Sequence, residues 1–466
     1  MSDSIQKIKE KVAAGVLPTM GDREEVERVL RKVSSRIKAE AEARGLEVRA
    51  EVEGSIAKDT WIRTDRDIDI FIIFEGGTDK EAAKSQGLEL AKAAGGNNWK
   101  LGFAEHPYVE AVVDGFTLDI VPSIEMGEGE SPITSVDRTP LHTVFMNGKL
   151  TEKTKSDIRV LKQFMKGIGV YGAELRVGGF SGYLCELLVL NYGGFESLIA
   201  SAARWCSRTS IDLMGFYRGV TALEAFDSPL VAIDPVDRRR NVAAAVSSQS
   251  YHTFIAASRC FVKEPKLEFF FPKTERANPQ ENSKLILAKG STVVGIVVNC
   301  PAPMLPDDVL WGEVQKSLTR ITSILGSTSF EVNGFTAWSD GKVIVFLVEV
   351  LEGEISSIKV HRGPEVTFGE ESERFLTKYS RDPRVLAGPY IRDEHWFVEL
   401  RREPTGIRDM IKRELPKMKL SRDIEKEVGR GFGIYVNGEL EELSRDREGL
   451  GTCITNLVRK RPLWLT

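Results

Sequence analysis

Two aspartates two residues apart, Asp67 and Asp69, head the run Asp67-Ile68-Asp69-Ile70-Phe71-Ile72-Ile73-Phe74. A stretch so rich in Ile and Phe suits a strand buried on both faces. Strand alternation turns the two carboxylates to one side. Carboxylates placed that way repel unless a cation lies between them, and an oxygen-only donor set suits Mg²⁺. Gly54-Ser55 is separated from Asp67 by eleven residues, and a tight turn there can offer backbone N–H groups and a hydroxyl to phosphate oxygens. A third acid follows. Val109–Val113, Asp114-Gly115 and Phe116–Val121 read as a hairpin with an Asp-Gly turn, and Asp119 sits in its second strand between Leu118 and Ile120. Three acids suit a two-metal site that grips the attacking and leaving oxygens of an in-line displacement. A lone Asp-x-Asp at a strand end is more often a turn or a solvated edge. Gly-Ser at this distance together with Asp119 favours the metal.

The elements that must carry these residues are legible around them. Asp22 to Gly45 predicts an amphipathic helix with Val26, Leu30, Val33, Ile37 and Ala41 on one stripe and Gly45 as its stop. Leu46–Glu53 alternates as a half-exposed strand leading to Gly54, and a helix near Lys80–Ala94 follows. Ser156–Ile168 predicts a helix with Ile158, Leu161, Phe164 and Met165 inward and Lys155, Arg159, Lys162 and Lys166 on the opposite face. Gly178–Leu188 is a glycine-rich approach to another helix. Phosphate binding at that helix start and tight packing are both open readings of its glycines. Beyond about Glu264 come a β-branched run Ser291–Cys300, a helix Asp307–Leu325 and a hairpin Val332–Trp338/Lys342–Leu351. That order suggests a layer like an RNA-recognition sheet, without the aromatic signature of that module. Ile355–Val360, a helix near Glu370–Tyr379, a strand Tyr390–Leu400 and basic helices over Arg408–Arg430 complete the reading.

Composition narrows the class. A chain of 466 residues is too long for one core and predicts roughly three or four domains. With 42% hydrophobic and 28% charged residues it reads as an ordinary soluble protein. No apolar run has the length of a membrane span, and Met1-Ser2-Asp3-Ser4 is unlike a signal peptide. The five cysteines are scattered and form no Cys-x-x-Cys, which predicts reduced thiols in the cytoplasm and no zinc site. The net charge of −4 does not advertise nucleic acid, but Arg408–Arg422 is locally basic. That segment reads either as an RNA contact or as a solvated helix face.

Gly-Ser, its spacer, the acid–apolar–acid–apolar strand and the later acid resemble the signature of the DNA polymerase β-like nucleotidyltransferases. More specific runs resemble the archaeal-type, class I, tRNA CCA-adding enzymes. They are Asp137-Arg138-Thr139-Pro140, Tyr171-Gly172-Ala173-Glu174, Gly179–Leu188, Asp234-Pro235-Val236-Asp237 with Arg240-Asn241-Val242-Ala243, and Gly388-Pro389-Tyr390-Ile391 with Trp396. The resemblance implies a multidomain α/β (α+β) chain. A nucleotidyltransferase head with a mixed sheet would span residues 1–150 and a helical nucleotide-binding domain 151–263. An RNA-recognition-like α/β body would span 264–385, and a tail contacting tRNA 386–466.

It further implies template-independent addition or repair of the 3′-terminal CCA of tRNA from CTP and ATP, with Mg²⁺ as cofactor and pyrophosphate as leaving group. The implied partners are the tRNA acceptor stem and 3′ end, with no membrane; a homodimer stays open. Asp67, Asp69 and Asp119 would bind Mg²⁺, with Asp119 accepting the proton of the attacking hydroxyl. Ser55, Lys58, His142, Lys162 and Tyr171 would contact the nucleotide, and Arg240, with Asp237 beside it, would help choose the base. Two residues depart from the family pattern: Lys58 stands where Arg is expected, and Asp67 where Glu is frequent. Taken alone, Lys162 reads as solvated, Tyr171 and His142 as core, and Arg240 as the end of a surface triplet. The alternatives are another polymerase β-like transferase, such as a poly(A) polymerase or an oligoadenylate-type synthase, and a catalytically silent RNA-binding protein.

Overall fold

The computed structural model describes residues 2–75, 78–103, 107–125, 135–217, 220–273 and 279–465. It divides into two compact units, residues 1–274 with 462–466, and residues 275–461.

The first unit begins with α1 (Ser2–Val16) and α2 (Met20–Arg44). The start of α2 lies two residues before the expected Asp22, because Thr19 and Asp22 form a capping box, each side chain accepting from the other's backbone N–H. Gly45 closes it at φ 67°. Then come β1 (Val48–Glu53), a single helical turn α3 (Gly54–Ala57) where a tight turn was expected, and β2 (Asp67–Phe74). They are followed by α4 (Lys80–Gly95), β3 (Trp99–Phe103), β4 (Pro107–Val113) and β5 (Phe116–Ile124). Asp114 and Gly115 at φ 50° and 83° make the hairpin turn that the Asp-Gly pair predicts.

Among the described residues these strands form a sheet of order β1-β2-β5-β4-β3. It is mixed: β2 and β5 run parallel and the other neighbours antiparallel. Ile68, Ile70, Ile72 and Phe74 pack with residues of α2 and α4. Alternation therefore sends Asp67 and Asp69 to the other face.

The chain continues through α5 (Ser135–Asn147), α6 (Glu152–Gly167), α7 (Gly182–Tyr192) and α8 (Phe195–Ala202). Next are β6 (Thr209–Ile211), α9 (Val220–Ala225), β7 (Leu230–Asp234), β8 (Asp237–Asn241) and α10 (Ser248–Lys263). Helix α6 is the axis of this part. Every position from Asp157 to Met165 is buried, the basic side included. On its apolar side Phe164 meets Phe195, Phe254, Phe261, Phe269 and Phe270 at ring-centroid distances of 5.4–6.3 Å. Phe164→Ala is expected to cost about 3–5 kcal/mol of stability by leaving a cavity among those rings. Urea unfolding followed by near-ultraviolet circular dichroism measures it, and a loss under about 1 kcal/mol would mean the cluster collapses to fill the gap.

The glycine-rich approach to α7 is resolved in favour of packing at Gly179. A Cβ there would lie 2.1 Å from the Val170 carbonyl oxygen, because Phe180 and Val170 are joined by a backbone hydrogen bond. Ser181 caps α7 by accepting from the Leu184 N–H.

In the second unit the elements are α11 (Pro279–Lys289), β9 (Thr292–Asn299), α12 (Asp307–Ser327), β10 (Val332–Ser339) and β11 (Val343–Val350). They continue with β12 (Ile358–Glu365), α13 (Gly369–Tyr379), β13 (Val385–Arg392), β14 (His395–Arg401) and α14 (Ile407–Glu414). Helix α15 (Arg422–Arg430), β15 (Gly433–Val436), α16 (Glu439–Arg445) and α17 (Leu450–Arg459) end it. One antiparallel sheet has the order β10-β11-β9-β15, and a second has the order β12-β14-β13.

The expected strand Tyr390–Leu400 is instead a hairpin, broken at Asp393 with φ 51°. An Asp-Glu pair between two β-rich runs gave no Gly or Pro to announce the turn. The basic helices α14 and α15 bury Ile407, Met410, Ile411, Ile424 and Val428. Most of their charges lie on the opposite side, Glu427 being buried, and several are paired, as Arg408 is with Glu439 at 2.5 Å.

Candidate active site

The register of the first sheet builds the acidic face. Glu53 of β1 pairs with Asp69 of β2, Asp69 with Asp119 of β5, and Asp119 with Glu110 of β4. Four acids therefore share one row, and Asp67 joins the same face two residues before Asp69. Gly54 lies directly against Asp69: a Cβ on it would stand 1.9 Å from Asp69 Oδ2, and its φ is +67°.

Burial and then the neighbouring charges of Asp69, Glu110 and Asp67 push the Asp119 carboxyl up to about 7. Burial also raises Asp67, with Asp65 adding to it. Asp69 is raised by burial, while Lys58 pulls the other way and Asp67 adds to the rise. Carboxylates that raise one another's proton affinity are short of positive charge, and oxygen donors on one face are what a hard divalent cation takes. Asp67, Asp69 and Asp119 thus fit such an ion. Among the described residues no three such groups already close on a single point, so the acids form a row rather than a finished cage.

Beside the row opens a cavity of about 640 Å³. Its lining includes Ser55, Lys58, Asp67, Asp69, His142, Lys162 and Tyr171, together with Asp65, Lys166, Tyr183 and Glu186. Asp119 stands one strand over from Asp69 and outside this lining. Asp237 and Arg240 do not line it either.

Two buried lysines reach into the cavity. Lys58 Nζ lies 2.6 Å from Glu186 Oε2, and Lys162 Nζ donates to the Thr60 carbonyl at 3.0 Å. Burial pushes the Lys162 ammonium down, and it raises the Tyr171 hydroxyl. Lys166 bridges Asp65 and lies over the Tyr171 ring at 5.2 Å. Gly182 leaves room for these tips, since a Cβ there would come within 3.2 Å of the Tyr171 hydroxyl.

The basic stripe of α6 has a definite task. It holds the loop from Asp59 to Asp65 that joins Ser55 and Lys58 to the strand of Asp67. Arg159 Nε donates to the Trp61 carbonyl at 3.0 Å, and its NH2 group donates to Asp59 Oδ1 at 2.7 Å. Lys155 lies 3.6 Å from Asp59 Oδ2. Burial pushes the Asp59 carboxyl up, but Arg23 and Arg159 prevail and hold it below its ordinary value.

His142 stacks on Tyr183 with ring centroids 3.9 Å apart. Its Nε2 lies 2.9 Å from Asp234 Oδ2, the oxygen that also takes Arg240 NH1 at 2.7 Å. Asp234 is wholly buried. Burial pushes the His142 imidazole down against the pull of Asp234, whose charge Arg240 already balances. His142 is thus a neutral ring donating Nε2–H. The carboxylate partner of Arg240 is Asp234, and Asp237 lies 3.5 Å from Arg138.

Glu186, Tyr183 and Thr60 were not singled out from the sequence, and Arg159 and Asp234 were named there without a role in the site. A lone acid inside Leu184-Cys185-Glu186-Leu187-Leu188, and another closing Leu230-Val231-Ala232-Ile233-Asp234, were the available signals.

Fold and site define a nucleotidyltransferase. Residues 30–142 match the family described as nucleotidyltransferase domain. Residues 156–271 match the second domain of tRNA nucleotidyltransferase, and residues 289–437 the C-terminal domain of the CCA-adding enzyme. A CCA-adding enzyme of Pyrobaculum islandicum is 38% identical over 400 residues, which cover 84% of this chain and 90% of that one. One of Methanoregula boonei is 34% identical over 463 residues, 98% of this chain and 96% of its own. The chain belongs to the archaeal-type CCA-adding enzymes. Among solved structures, a Cid1 structure described for its RNA terminal uridylyl transferase activity aligns with 57% of this chain and 98% of its own at a TM-score of 0.46 and 14% identity, too distant to bear on the assignment.

Proposed function

We propose that this chain adds or repairs the 3′-terminal CCA of tRNA from CTP and ATP without a template, with its acid row and lysine-lined cavity dividing the work of one transfer. The observation that carries the reading is the placement of that row against the mouth of a cavity holding Lys58, Lys162, Ser55 and Tyr171. The tRNA 3′-hydroxyl attacks the α-phosphorus, a new O–P bond forms, and pyrophosphate leaves as the α–β bridge breaks. Asp67, Asp69 and Asp119 would hold the metal. When bound, a divalent ion, Mg²⁺ being suited to such oxygens, offsets the negative charge that develops on the attacking and leaving oxygens.

Asp119 takes the hydroxyl proton. Lys58 and Lys162 meet the phosphates as point charges, and Ser55 and Tyr171 donate their hydroxyls. His142, whose Nε2–H is taken by Asp234, contacts the nucleotide. Arg240, fixed by Asp234, faces the base, and Asp237 steadies the same turn. Residues 1–150 form the catalytic head and 151–263 the nucleotide-binding domain, while 264–385 and 386–466 hold the tRNA by backbone and shape, so binding weakens with salt. No helix among the described residues is long and apolar enough to cross a membrane, and the proposed compartment is the cytoplasm.

The test is extension of tRNA transcripts lacking CCA, ending in C, or ending in CC, each given Mg²⁺ with CTP, ATP or both. Ordered addition that stops at CCA is the expected result. A long A tail would replace this reading with a poly(A) polymerase, and no incorporation would replace it with a silent RNA-binder.

A further inference from the structure

We infer that Glu186 sets how tightly the cavity holds polyphosphate, its carboxylate competing with triphosphate and pyrophosphate for Lys58 and Lys162. This rests on the proposed role of those lysines. Glu186 is 1% exposed and lies on the cavity wall. One of its oxygens is 2.6 Å from Lys58 Nζ. The other accepts from the Thr60 hydroxyl at 2.6 Å and stands 3.9 Å from Lys162 Nζ. Lys162 in turn reaches the Thr60 hydroxyl at 3.4 Å. Two buried ammonium groups thus share one buried carboxylate.

Before a polyphosphate binds, this arrangement compensates both lysines and keeps their tips in place, which a buried charge requires. A polyphosphate brings its own oxygens to the same tips. The lysines then have two anionic partners, and Glu186 becomes an uncompensated negative charge beside a polyanion. Its repulsion loosens the bound group. When pyrophosphate departs, Glu186 takes the lysines back, so release is helped by a partner already in position. A merely structural carboxylate predicts the opposite sign: without it the lysines slump away and polyphosphate binds less well.

The measurement is calorimetric titration of the full chain, without RNA and in Mg²⁺, using inorganic pyrophosphate and ATP as probes. Glu186→Gln, which keeps the shape and removes the charge, is expected to bind pyrophosphate on the order of tenfold tighter. Pyrophosphate should inhibit its primer extension at correspondingly lower concentration. Glu186→Asp, which keeps the charge, should stay near the parent protein. Should Glu186→Gln not fold, Lys58→Met with and without Glu186→Gln gives the same comparison with one lysine fewer, and the double variant should bind more tightly than the single. Unchanged or weaker binding, with Lys58→Met and Lys162→Met themselves defective, overturns the inference alone. Lysine variants that bind pyrophosphate normally would overturn the polyphosphate reading and this one with it.

Discussion

Asp119→Asn is expected to lower kcat by about 10³-fold or more, the loss of several kcal/mol of charge stabilisation and of the proton acceptor together. The change is nearly isosteric, and Leu118 and Ile120 on either side stay in the core, so the sheet and tRNA affinity should hardly change. Stability should move the other way. Asp119 has its proton affinity raised to about 7 in the folded protein, against an ordinary value of 3.8. The folded state therefore binds more protons than the unfolded chain between those values, and this group's contribution is present below the lower one and lost as pH rises through the upper. With a chelator present, Asp119→Asn should melt at a higher temperature than the parent at pH 8 and at the same temperature near pH 4. Parent-like turnover in the variant would remove Asp119 from the metal set and from proton transfer alike.

What the sequence showed well was local. The bounds of β2, the Asp-Gly hairpin and the glycine stop of α2 follow from period and turn chemistry within a few residues. The acid row was half legible: Asp67, Asp69 and Asp119 were recognisable by spacing. Their alignment with Glu53 and Glu110 depends on strand register, which no short window contains. The lysine side of the site was legible as a stripe, but its burial was not. The stripe Lys155, Arg159, Lys162 and Lys166 has the spacing of a solvated helix face, yet it is buried or half-buried. Its acceptors come from the loop 59–65, about a hundred positions earlier: Arg159 and Trp61 are 98 residues apart. Lys58 and Glu186 are separated by 128. A charge pattern on one helix carries no record of carbonyls and carboxylates so distant.

Gly54→Ala is expected to reduce turnover by about 100-fold, near the loss that follows from misplacing a catalytic group by roughly 1 Å. Two effects act at this position and can be separated. The backbone is left-handed at φ +67°, which a Cβ makes unfavourable by about 1 kcal/mol. Beyond that strain, the new methyl would stand 1.9 Å from Asp69 Oδ2 and 2.9 Å from its Cγ. Asp69 must swing away, because the methyl is fixed to the turn between β1 and Ser55 while the carboxylate can rotate. Gly45 supplies the control. It has the same φ of +67° but nothing within 4 Å of an added Cβ, so Gly45→Ala bears the strain without the clash. Both variants should lose similar stability in a thermal melt, and only Gly54→Ala should lose kcat. Equal activity in the two would show that the Asp69 carboxylate is not needed where the structure places it, and the metal role would pass to Asp67 and Asp119 with another partner.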